Sequence, residues 1–200
     1  MKKILIINKG LYHPSLADRK LLIRQVRQSG YDVTGKSSID SSILNYPCIV
    51  LFFHEKEISA DQVNLLEMYL QSGGMILAIH GALASYKSNN EYLNLLGGHF
   101  IGHDKVSMIS ISEAASDNSL KLSTRFFTIK DELYQFELKK SCEVILTGTS
   151  HEMTSPVLWK NMIDSGTVVC FSLGHKLCTL NSKEFVNILK STLESLYEKN

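Results

Sequence analysis

The chain opens on short apolar runs that alternate with amphipathic segments. Residues 4–7, 48–53 and 75–79 are continuous apolar runs, which predict strands that are buried on both faces. The first two runs are each followed by a segment in which apolar residues recur at helical spacing. Strands that alternate with helices pair in parallel, with helices covering both faces of the sheet. The first half of the chain therefore predicts a doubly wound α/β sheet.

Helix boundaries are marked by polar pairs and by glycines. Ser15 with Asp18 and Ser59 with Gln62 have the three-residue spacing of a capping box, which predicts a helix start at each pair. The glycines that end these helices are Gly30, Gly73 and Gly74. The pair Gly97-Gly98 is interpreted in the same way, as the stop of a third helix.

The second half of the chain has a different pattern. Beyond Gly98 the apolar runs are shorter and are separated by polar turns, at residues 106–111, 126–129, 134–138 and 144–146. These runs predict an antiparallel addition to the parallel core. A buried strand at 167–173 and an amphipathic helix around residues 185–196 complete the chain. Because no linker or repeat interrupts the pattern, we expect one domain over residues 1–200.

Composition narrows the classes of function. The 21 basic and 20 acidic residues nearly cancel, so no overall field attracts nucleic acid. No apolar stretch approaches the roughly 18–20 residues that a membrane helix needs. The four cysteines form no CxxC pair, and Cys48, Cys142 and Cys170 lie among residues predicted to be core strands. Buried, reduced thiols are typical of a cytoplasmic protein.

Several histidines follow predicted strands. His13 lies in the loop after the first strand, His54 and His80 follow the next two apolar runs, and His175 follows the run at 167–173. Ligands of open parallel sheets bind at the carboxyl ends of the strands. A single histidine is more often a hydrogen-bonded loop or core residue, but several that converge indicate proton transfer or metal binding.

His80 is the strongest single candidate. The segment GGMILAIHGA places it at a strand-to-helix turn before Gly81, where a tight backbone can hold the side chain outward. On this interpretation His80 is a surface-turn residue with little packing to lose. The alternative is a loop histidine that caps the following helix.

Five segments in order resemble the motif series of one known family. They are GGMILAIHGA, EYLNLLGGHFIGH, FFTIKDELYQF, PVLW and GTVVCFSLGH, and the opening YHPS is similar to the start of that family. The chain resembles the ThuA-like (trehalose utilisation) family of the class I glutamine amidotransferase-like superfamily. The resemblance implies a flavodoxin-like, doubly wound, mostly parallel sheet and a small sugar or oxidised sugar as the ligand.

The same resemblance implies a set of site residues. In the superfamily the strand-to-helix elbow holds a nucleophilic cysteine, but this chain has His80 there. Imidazole cannot replace a thiolate in thioester chemistry at comparable rates, so glutamine hydrolysis is not expected. The implied catalytic residues are His80, Glu132 and His175, and the implied substrate-binding residues are His13, Gly81, His103 and Asp131.

Four residues of these motifs also have simpler interpretations. The pair Asp131-Glu132 could be a solvated acidic turn, or Glu132 could orient an imidazole or transfer a proton. We expect Tyr134 to be a strand core residue with an exposed hydroxyl, and Trp159 to pack a loop. Neither aromatic residue is assigned to catalysis.

Two classes of function remain. The first is an enzyme that acts on a small carbohydrate by His/Glu acid–base chemistry, with no cofactor. In an alternative form of this hypothesis, His80, His103 and His175 bind Zn²⁺, and water occupies the open coordination position. The spacing matches no local zinc motif, so the metal variant ranks lower. The second is a binding or regulatory module that kept the pocket but lost turnover. The partner that we expect is a sugar-like ligand. The sequence is also compatible with a homo-oligomer.

Overall fold

The computed structural model describes residues 1–9, 14–114, 119–151 and 153–198. Within these residues the strands are β1 (Lys3–Lys9), β2 (Asp32–Lys36), β3 (Cys48–Phe53), β4 (Met75–Ile79), β5 (Gly98–His103), β6 (Ser107–Glu113), β7 (Phe127–Asp131), β8 (Tyr134–Leu138), β9 (Glu143–Ser150), β10 (Met153–Ile163) and β11 (Gly166–Phe171). The helices are α1 (Leu16–Gln28), α2 (Ala60–Gln71), α3 (Asn90–Leu96), α4 (Leu177–Leu180) and α5 (Lys183–Glu198), with 3₁₀ helices at Ser41–Asn45 and His80–Ala84.

The main sheet of the described chain has the order β2-β1-β3-β4-β11-β10-β9-β6-β7. The strands from β2 to β11 pair in parallel, in the order of a flavodoxin-like sheet. The strands from β11 to β7 pair in antiparallel fashion, and β5 and β8 form a separate ribbon. This arrangement confirms the predicted α/β fold with its antiparallel addition. Residues 153–163, which include the PVLW motif, form a strand that the hydrophobic pattern did not predict.

Both faces of the parallel sheet are covered because its strands alternate their side chains. In β1, Ile4 and Ile6 belong to the core under α1 and α5, while Leu5 and Ile7 belong to the core under α2 and α3. This is the three-layer packing expected of continuous apolar strands. No helix in the described ranges is long and apolar enough to cross a bilayer.

The predicted helix ends are confirmed. The Ser15 hydroxyl accepts from the Asp18 amide at 3.2 Å, and the Asp18 carboxylate accepts from the Ser15 amide at 2.8 Å. Ser59 and Gln62 form the same reciprocal pair at the start of α2. Gly97 ends α3 with a φ of +82°, which a residue with a side chain rarely adopts.

Two expectations about buried residues need correction. Trp159 lies on β10, fully buried, and its indole N–H donates to the Leu96 carbonyl at 2.8 Å, so it packs in the core and not against a loop. Cys48 and Cys170 are buried in strands as expected, whereas Cys142 is half-buried in the turn before β9. Cys178 is exposed, and all four cysteines are free thiols.

Candidate functional site

The carboxyl ends of two neighbouring parallel strands bring His80 and His175 together. Ile79 at the end of β4 is paired with Phe171 at the end of β11. His80 follows β4 directly, and His175 follows β11 after three residues. Because both chains leave the sheet at the same edge, the two imidazoles meet, with His80 Nε2 at 3.3 Å from His175 Nδ1. The convergence that the strand-end positions suggested is present for these two histidines, whereas His54, after β3, is exposed and does not belong to the group.

His80 has a strained backbone and a fixed tautomer. Its φ of +43° is unusual for a residue with a side chain, and its side chain is fully buried, so the expectation of an outward surface-turn histidine is wrong. Its Nδ1 lies 2.7 Å from the Ser172 carbonyl oxygen. A carbonyl only accepts hydrogen bonds, so Nδ1 carries the proton and Nε2 of the neutral ring carries the lone pair.

Gly81 acts through its lack of a side chain. A Cβ atom at this position would lie 2.7 Å from the Phe53 carbonyl oxygen at the end of β3. Glycine therefore allows the elbow to pack directly on the neighbouring strand. Exposed His54 follows β3 and lies beside this contact.

The turn between β7 and β8 supplies the carboxylate of the site. Glu132 Oε2 lies 3.1 Å from His175 Nδ1, and the side chains of Glu132 and His175 are 13% and 25% exposed. Burial raises the pKa of Glu132, while the electrostatic interactions with His103 and Lys176 act in the opposite direction. The Asp131-Glu132 pair is therefore not a solvated acidic turn.

Asp131 holds the backbone of His175. Its carboxylate, 1% exposed, accepts from the Gly174 amide at 2.7 Å and from the His175 amide at 3.3 Å. Burial raises the pKa of Asp131 to about 6, although the hydrogen bonds from Gly174, Glu132 and His175 favour its charged form. These contacts join Asp131 to the backbone of the loop that carries His175, and the substrate contact that the family resemblance implied stays a prediction.

Tyr134 is the site residue that sequence reasoning missed. Its hydroxyl lies 3.0 Å from His80 Nε2 and is buried, so the expectation of an exposed hydroxyl is wrong. Burial, with the charges of Glu132 and Asp131, raises the pKa of Tyr134, so the hydroxyl stays protonated and donates to His80. Local periodicity could not show this contact, because Tyr134 begins β8, whose partner strand β5 is distant in sequence.

His103 lies at the rim of the site. It ends β5 opposite Tyr134, and its side chain is 46% exposed. Its Nδ1 is 2.9 Å from the Asp104 carbonyl oxygen and 3.8 Å from Glu132 Oε1. His13 lies outside the described residues.

Within the described residues, three side chains share the centre of the site. One ligand atom each from His80, Glu132 and His175 lies within 4.8 Å of the other two. Two imidazoles and one carboxylate at this separation can pass a proton or bind a metal ion. Glu132, and not His103, is the third member of this group.

The chain was compared with protein families and with solved structures. The ThuA family, described as trehalose utilisation, matches residues 3–194. A ThuA-like protein from Parabacteroides merdae ATCC 43184 superposes with a TM-score of 0.83 over 98% of this chain and 90% of its own, at 15% identity. For a ThuA-like protein from Bacteroides uniformis ATCC 8492 the TM-score is 0.79 over 100% and 92%, also at 15% identity. A cytoplasmic protein from Salmonella typhimurium LT2 gives 0.72 over 97% and 99%, at 15% identity.

A comparison with curated protein sequences gives no match. The structural likenesses, at 15% identity, show the fold alone. The family match covers nearly the whole chain, and this protein belongs to the ThuA (trehalose utilisation) family.

Proposed function

We propose that this protein is an enzyme that acts on a small carbohydrate or an oxidised sugar derivative by acid–base chemistry. The observation that carries the proposal is the convergence of His80, Glu132 and His175 at one edge of the sheet. The trehalose-utilisation description of the family supports a carbohydrate as the ligand. The elbow holds an imidazole in place of a thiolate, which argues against a glutaminase.

His175 is the proposed proton carrier. When its Nδ1–H donates to Glu132, the lone pair of the neutral ring is on Nε2, which would take the proton from a sugar hydroxyl or from a carbon beside a sugar carbonyl. The carboxylate stabilises the imidazolium that forms, as in other carboxylate–histidine pairs. His175 is also the more exposed of the two central histidines.

His80 is the proposed positioning residue of the pair. It is fully buried and contacts the Ser172 carbonyl, the Tyr134 hydroxyl and the His175 ring, so we assign it no direct contact with the sugar. We therefore expect His80 to fix the orientation of the His175 ring. The same burial also suits a binding module without turnover, which is the second candidate function.

The test is a screen of tag-free protein against mono- and disaccharides and their keto derivatives, with products detected by ¹H NMR. We expect turnover of at least one compound, and a loss of about 10²-fold or more in His175→Ala. His99→Ala, which replaces an exposed histidine on β5, is the matched control and should keep full turnover. Saturable sugar binding without turnover would favour the binding module.

We place the protein in the cytoplasm. Its four free thiols suit a reducing compartment, and the Salmonella neighbour is described as a cytoplasmic protein. A sugar-like small molecule is the proposed partner. Cell fractionation with an antibody against the protein tests the location, and recovery in the periplasmic fraction would contradict it.

A further inference from the structure

The central cluster has the spacing of a metal site. Ligands that share one ion at about 2.0–2.1 Å in a tetrahedral arrangement lie roughly 3.3 Å from each other. His80 Nε2 is 3.3 Å from His175 Nδ1, and His175 Nδ1 is 3.1 Å from Glu132 Oε2. The third pair of atoms also lies within 4.8 Å. An ion at the centre would take the His80 Nε2 lone pair that accepts the hydrogen bond from the Tyr134 hydroxyl at 3.0 Å, so it would replace that hydrogen bond.

The protonation state of His80 suits an ion at the same point. A metal binds the lone pair of a neutral imidazole, and the Ser172 carbonyl places that lone pair on the Nε2 that faces the cluster. Histidine ligands usually donate their second ring N–H to a carbonyl or carboxylate, which fixes the ring. His80 has this partner at 2.7 Å.

The second imidazole is fixed by its backbone. Asp131 accepts hydrogen bonds from the amides of Gly174 and His175, which holds the loop that presents the His175 ring. Two neutral imidazoles and one carboxylate carry one negative charge against the two positive charges of the ion. This donor set suits zinc and other late transition ions, whereas Ca²⁺ and Mg²⁺ prefer oxygen ligands alone.

We propose that His80, Glu132 and His175 form a binding site for one divalent transition-metal ion of the zinc class. The metal site uses the same residues as the proposed active site. Only the predicted effect of the ion on turnover rests on the proposed function. An ion on His175 Nδ1 takes the place of the proton that Glu132 accepts, so ion binding and direct proton transfer exclude each other. Zinc is thus an inhibitor of the proton-transfer enzyme.

The binding test is a titration of the full chain, freed of any histidine tag, with Co²⁺ and Zn²⁺. Calorimetry should give one equivalent, and bound Co²⁺ should show the visible absorption of a four- or five-coordinate ion. His175→Ala and Glu132→Gln should each weaken binding at least 10-fold. The matched controls His99→Ala and Glu137→Gln change exposed residues on β5 and β8 and should bind as the wild type does. Cys178→Ser excludes binding through the exposed thiol.

Two measurements keep the proposals separable. No binding, or binding that survives both ligand substitutions in variants with wild-type circular dichroism, overturns the metal site and leaves the enzyme proposal standing. In the sugar assay, Zn²⁺ should inhibit in parallel with site occupancy. Turnover that instead requires the ion overturns direct proton transfer by His175 and leaves the metal site standing.

Discussion

His80 combines an unfavourable backbone with contacts that only a few side chains can make. Its φ of +43° costs of order 1 kcal/mol in most residues, and asparagine tolerates this region better than most. An asparagine amide could also donate to the Ser172 carbonyl. The His80→Asn variant should therefore unfold at nearly the same urea concentration as the wild type.

His80→Ala, by contrast, should lose about 1–3 kcal/mol of unfolding free energy, because it removes a buried hydrogen bond and leaves a cavity. Both variants should lose about 10²-fold in turnover, because the His175 ring is no longer held in position. An alanine variant as stable as the wild type would show that the buried His80 contacts contribute little. Near-normal turnover in the folded His80→Asn variant would show that the enzyme does not need His80 for turnover.

Asp131 gives a second prediction at this scale. Asp131→Ala leaves the buried amide of Gly174 and the partly buried amide of His175 without their acceptor, which should cost about 1–3 kcal/mol in urea unfolding. Asp131→Asn keeps one oxygen for Gly174 and should recover part of the loss. The control is Asp32→Ala, at an exposed aspartate on β2. Equal stability of Asp131→Ala and the control would contradict the positioning role.

The elements that sequence predicted best are those set by local chemistry. The capping pairs Ser15-Asp18 and Ser59-Gln62 act within one helical turn, so three-residue spacing was sufficient to find them. The β5–β8 ribbon depends on pairing between segments about 35 residues apart, which no local pattern records. Tyr134 begins β8 in that ribbon, and its place beside His80 was missed for this reason.

The site itself was predictable to the extent that parallel strands define it. His80 and His175 follow strands whose carboxyl ends share an edge, so their convergence could be expected from pattern alone. Glu132 came from the family resemblance, since a turn carboxylate has no distinctive spacing. The burial of His80 could not be predicted, because it depends on Ser172 and Tyr134, which are distant in sequence.

The elbow provides a prediction at the scale of packed elements. Gly81→Ala places a Cβ 2.7 Å from the Phe53 carbonyl, so either the elbow or the end of β3 must shift. We expect a loss of about 1–3 kcal/mol in thermal unfolding. The matched control is Gly102→Ala on β5, where a Cβ would meet nothing within 4 Å. Equal melting temperatures for the two variants would contradict close packing at the elbow.

At the scale of the whole molecule, the reactivity of the thiols measures how well the core excludes solvent and reagents. Cys48 and Cys170 are fully buried, and burial raises the pKa of Cys48 to about 12, whereas Cys178 is exposed. A colorimetric disulfide reagent should therefore modify one thiol quickly in the folded protein and all four after denaturation. Turnover should survive the first modification. Stoichiometric inactivation at Cys170 or Cys178 would indicate a cysteine-dependent enzyme.

The central claim is that His175 and Glu132 work as one unit in turnover. It is tested most directly by kcat/KM in a double-mutant cycle of His175→Ala and Glu132→Gln, measured with a sugar that the wild type converts. We predict that each single variant loses about 10²-fold or more, and that the double variant loses little beyond the worse single variant. Losses that multiply, or near-normal kcat/KM in either single variant, would contradict the claim.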